Sequence, residues 1–156
     1  MKQVLLFALS FVVLTMLGTW LWMAGGDRLY AQALRPVALE IYGLTGVTGR
    51  GTLVRTRFIN LVPFTALMLV APGLAMRKRI VGLLIGWCLL ALSHVALNGY
   101  AMTLGARGHL PRFAAQASDA MPFLLWLFLA RDSVRALLRR SGGSGESDAD
   151  AARSEA

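Results

Sequence analysis

Four apolar runs, separated by charged or glycine-rich stretches, organise the chain. The first, Val4 to Ala24, holds 21 residues without a charge. About 20 residues rising 1.5 Å each cross a hydrocarbon core of ~30 Å, so this run is long enough to span a bilayer as a helix. Met1-Lys2-Gln3 gives it a positive flank, which also suits a signal peptide. The run is long for the apolar part of such a signal, and Trp20 and Trp22 crowd the place of a cleavage point. It therefore reads as an uncleaved anchor, with its tryptophans at the far interface.

The second predicted span is 58–76, with Pro63 near its start and Pro72 near its far end. The basic turn Arg77-Lys78-Arg79 follows it. The third span is 80–104, with Gly82 and Gly86 early in it at a spacing that lets helix backbones approach closely, within the chain or between copies. The fourth is 113–130, with Pro122 inside it. Between the first two spans, residues 29–44 mix apolar positions with Arg35 and Glu40, and Pro36 interrupts any helix there. Charges are expensive at mid-bilayer, so this segment reads as interfacial or partly inserted. From Ser141 to Ala156 the chain is polar and glycine-rich, without apolar periodicity, which predicts a disordered tail.

Composition agrees with this pattern. Of the 156 residues, 56% are hydrophobic and only 15% charged, against about a quarter charged in soluble domains. The fold class expected is therefore all-α: a polytopic membrane bundle of about four spans, one interfacial helix and a tail, occupying residues 1–140 and 141–156. The formal charge of +8 does not point to nucleic acid, because the basic residues cluster at the ends of apolar runs, where lipid headgroups lie. Lys2, Arg77 to Arg79 and the Arg131 to Arg140 group sit densely at span ends, which places both termini in the cytoplasm. The bilayer is the expected partner, together with another membrane protein, and the location is a bacterial inner membrane.

Polar groups inside spans are the natural candidates for function. The third span carries Ser93, His94 and Asn98. His94 and Asn98, four apart, share a helix face with Trp87 and Ala91. They read either as a hydrogen-bonding patch lining a cleft or as an interhelical contact holding the bundle together. Arg50, Arg55 and Arg57 would either grip a carboxylate or phosphate at the outer face or anchor to headgroups. Cys88 and His94 lie six apart, about 240° around a helix, which excludes a nucleophile–base pair within it. Cys88, the only cysteine, is read as a small buried apolar residue. With one cysteine and two histidines, no metal site, cofactor or catalytic set is expected.

The order of features from Ile41 onward resembles the C-terminal half of the exosortase/archaeosortase family of membrane sorting proteases. The parallel runs through LTGVTGRGT, NLVPFTALMLVAPGLAMRKRIVGLLIG, ALSHVALN and PFLLWLFLARD, about 90 residues. That family uses a cysteine, an arginine and a histidine. The cysteine position falls near Thr45 to Thr48 and the arginine position within Ser93 to Asn98. Neither stretch holds the required residue, and His109 is the candidate for the histidine. The resemblance thus implies a member without that chemistry: a non-catalytic accessory in protein sorting or envelope-polymer export. The competing reading is a membrane enzyme or transporter subunit that binds an anionic group at the outer face.

Overall fold

The protein is described here by a computed structural model covering residues 2–47, 59–103, 112–132 and 135. Every element among them is helical: α1 (Lys2–Leu21), a wide turn (Trp22–Gly26), α2 (Asp27–Thr45), α3 (Leu61–Val70), α4 (Met76–Thr103) and α5 (Arg112–Leu129). The tail and Arg50, Arg55 and Arg57 lie outside the described residues.

Two stretches are long and apolar enough to cross a membrane: Val4–Thr45, which runs through the wide turn, and Met76–Thr103. Their best windows reach a mean hydropathy of 2.3. None of the first window is buried inside the protein, whereas the apolar core helix of a soluble domain would hide such a surface from water. The fold is compatible with a membrane location on this ground.

Sequence and helix limits agree closely for α5 and diverge elsewhere. Residues 4–24 and 29–44 are not separated by a loop. They are consecutive helices joined at Gly25, whose φ of 140° admits no ordinary side chain. The Asp27 amide reaches back to the Trp22 and Gly25 carbonyls across this turn. Pro36 does not interrupt α2, which continues through it to a left-handed cap at Gly46, φ 67°. The 58–76 run contains a helix of only 10 residues. Pro63 fits its first turn, while Pro72 forces the preceding Ala71 out of helical geometry, to ψ 114°. Arg77 to Arg79 form the first turn of α4 rather than a separate connection.

α3 is the packing centre. Phe64 and Met68 are fully buried, and the two glycines of α4 make room for them: a Cβ at Gly86 would overlap the Phe64 ring and one at Gly82 the Met68 methyl. The glycine pair of α4 is thus used inside the chain. In a bilayer this close approach, rather than apolar burial, is what holds helices together. On the other side of α3, Gly18 of α1 approaches Val62 so closely that a Cβ would lie 2.8 Å from it.

Three contacts fix one end of the bundle. Phe7 stacks on Trp126 with ring centroids 6.2 Å apart. Lys78 pairs with Asp132 at 3.1 Å, and the Arg79 guanidinium donates to the Ala71 carbonyl at 3.0 Å. The start of α1, the start of α4 and the end of α5 are therefore neighbours, gathering Lys2, Arg77 to Arg79 and Arg131 at a common end. The Lys78 ammonium, through its hydrogen bond and its charge, holds the Asp132 carboxyl below the usual carboxylate range.

Candidate functional site

The polar side chains concentrate where α2 meets α4. The buried stripe of α2 is Ala31, Leu34, Ala38 and Tyr42, spaced three or four apart as one helical face, while Arg28, Arg35 and Glu40 are exposed. Across from it, α4 buries His94, Val95, Asn98 and Gly99. His94 is only 1% exposed and Asn98 3%. The two are one turn apart on α4 and both are buried, whereas Trp87, expected on the same face, is exposed.

Tyrosines from α2 reach into this seam. The Tyr30 hydroxyl and His94 Nδ1 share a hydrogen bond of 2.9 Å, and the two rings meet edge to face at 5.8 Å. Trp22 also packs against Tyr30, with ring centroids 5.7 Å apart. Further along, the Tyr42 hydroxyl donates to the Val95 carbonyl at 2.8 Å, and Gly99 gives its ring room. Twelve residues of α2, about 18 Å of helix, separate the two tyrosines, yet their partners are adjacent on α4. The α2 helix therefore crosses α4 rather than lying along it.

Ser93 does not join this group. It is half-buried and donates to the Leu90 carbonyl of its own helix at 2.8 Å, a local bond that a serine in an apolar helix readily makes. Trp87 belongs to a different contact, its indole donating to the Thr65 hydroxyl at 2.9 Å. Cys88 is a correction: it is exposed, not buried. It lies on the outward face of α4 with Leu84, Ile85 and Leu92, all exposed, and a residue six positions from the buried His94 falls on that face by helix geometry.

The residues that sequence reasoning missed are Tyr30, Tyr42 and a second seam, where the Asn60 amide donates to the Ser118 carbonyl at 2.8 Å. A signal for the tyrosines exists. Both sit on or beside the apolar stripe of an amphipathic helix, and a tyrosine buried there needs a partner for its hydroxyl. Nothing in the sequence marks Ser118 as the partner of Asn60.

Chemically, the seam is a set of interhelical hydrogen bonds. The His94 ring nitrogen facing α2 is engaged by a phenol, and Cys88 lies about 120° around α4 from it, on the exposed face. Among the described residues, no three His, Cys, Asp or Glu side chains come together in a group able to hold a metal ion. Comparison with protein-family models, curated proteins and solved structures finds no match.

Proposed function

We propose that this protein is a multi-pass bacterial inner-membrane protein that serves as a non-catalytic accessory in protein sorting or envelope-polymer export. In this reading α1, α4 and α5 cross the bilayer, and α3 with its flanking residues makes the remaining crossing. The α2 helix lies at the outer interface, and both termini face the cytoplasm. The amphipathic build of α2 and its crossing of α4 support the interfacial placement. The gathering of basic residues at one end supports a common side for the termini.

The observation that carries the non-catalytic part is the divergence of His94 and Cys88. The histidine is buried and hydrogen-bonded to Tyr30, while the thiol is exposed about a third of a turn around the same helix. A thiol nucleophile needs its base within about 3 Å. The sorting or export role comes from the sequence resemblance.

The test is complementation of a deletion strain, reading the processing of membrane-sorted proteins and the amount of exported polymer. Deletion reduces one of these outputs, and Cys88→Ser restores it fully. A Cys88→Ser chain that reaches the membrane but restores nothing overturns the non-catalytic reading. An unchanged output on deletion overturns the role itself.

A further inference from the structure

A crevice of about 410 Å³ opens on the side of the bundle between α1, α3 and α4. Leu14, Leu17 and Gly18 of α1 form one wall, Val62 and Ala66 of α3 form the floor, and the indole of Trp87 forms the opposite side. Trp22 and Tyr30 close the end nearest the glycine turn. Thr65, also in the lining, donates its hydroxyl to the Leu61 carbonyl at 2.7 Å and accepts from Trp87 at 2.9 Å. The Tyr30 hydroxyl is engaged by His94. These polar groups face one another or the protein, so the crevice offers its occupant an apolar surface.

We infer that this crevice holds one acyl chain of a bilayer phospholipid, drawn from the leaflet opposite the basic end. The inference rests on the membrane placement proposed above but not on the sorting role. Three features select the occupant. The crevice opens in the flank of α1, none of whose apolar window is buried inside the protein, so in the proposed membrane placement hydrocarbon rather than water borders its mouth. An apolar cavity of this kind does not fill with water. Its volume decides between the remaining occupants. A methylene takes up about the liquid volume of a water molecule, ~30 Å³, so 410 Å³ accommodates about a dozen carbons, most of one chain. Two turns of a partner helix, about 10 Å across, would need roughly twice that space. The position selects the leaflet: the α1 lining runs from Leu14 to Trp22, the half of the helix remote from Lys2. The aromatic end at Trp22 and Tyr30 then lies where such rings meet headgroups.

The experiment is native mass spectrometry of the full chain extracted in mild detergent from membranes of defined phospholipid composition. One phospholipid adduct per chain is expected to persist. Leu17→Trp with Leu69→Trp, two exposed positions at the mouth, should lower its occupancy at least fivefold, while Val13→Trp, outside the lining, should retain it. An unmodified chain without the adduct overturns the inference, as does a mouth variant with unchanged occupancy. A second protein retained in place of lipid also overturns it. As a readout independent of the mouth variants, Trp20→Phe with Trp126→Phe leaves Trp22 and Trp87 as fluorophores. A phospholipid brominated along its chain should quench them in detergent at one lipid per chain. Quenching that rises only with bulk lipid content overturns a bound chain.

Discussion

The Tyr42 hydroxyl donates to the Val95 carbonyl at 2.8 Å, joining helices whose contacting residues are 53 positions apart. The Val95 carbonyl lies inside α4, so the phenol ties α2 to the backbone of that helix. Tyr42→Phe removes this one hydrogen bond and should lower stability by about 0.6 to 1 kcal/mol. Tyr42→Ala also leaves a hole beside Gly99 and should cost about 3 to 5 kcal/mol. Reversible unfolding in mixed detergent micelles reads both. Equal losses would mean that the ring contributes nothing beyond its hydroxyl.

The fit of Phe64 into the space at Gly86 predicts a size exchange. Gly86→Ala alone should destabilise by about 1 to 3 kcal/mol, because the fully buried Phe64 has nowhere to move. Combining it with Phe64→Leu should recover part of that loss, a positive coupling readable in a double-mutant cycle. Additive losses would show that the two side chains do not compete for one space.

Reporter fusions test the arrangement of the ends. Alkaline phosphatase joined at the C-terminus should be inactive, and a fusion within Gly105 to His109 should be active. The reverse pattern would invert the bundle in the membrane while leaving its internal contacts as described.

The Lys78–Asp132 pair gives a pH signature. The folded-state carboxyl has a lowered pKa, so its contribution is complete above the unfolded carboxylate pKa and disappears as pH falls through the folded value. Lys78→Gln should lower stability slightly at neutral pH and make no difference once the pH is below the folded carboxyl value, which flattens the acid limb of a stability–pH profile. Both side chains are well exposed, so high salt should shrink the difference further.

The apolar runs made the helices legible because hydrocarbon length and charge exclusion are properties of composition. They located α5 to within a residue at each end. Where helices stop is a local backbone matter that composition does not carry. Two prolines behave oppositely here: Pro36 is absorbed within an exposed turn of α2, whereas Pro72 ends α3 by displacing Ala71. At the candidate site, His94 and Asn98 were visible as polar residues in an apolar run. Their neighbour Tyr30 was not, because a tyrosine contributes little to hydropathy and its partner lies 64 residues away.

Arg79 has two tasks at once. In the proposed topology it is one of three consecutive cations that would retain this segment on the cytoplasmic side during insertion. Its guanidinium also clasps the carbonyl left free where α3 stops, at Ala71, so it closes the α3–α4 hairpin. If the proposed topology holds, the address label and the fastener are one side chain. Replacing it with lysine keeps the charge but not the planar guanidinium that holds the Ala71 carbonyl. Membrane orientation should then survive while the hairpin loosens, separating two steps of assembly that the native residue couples.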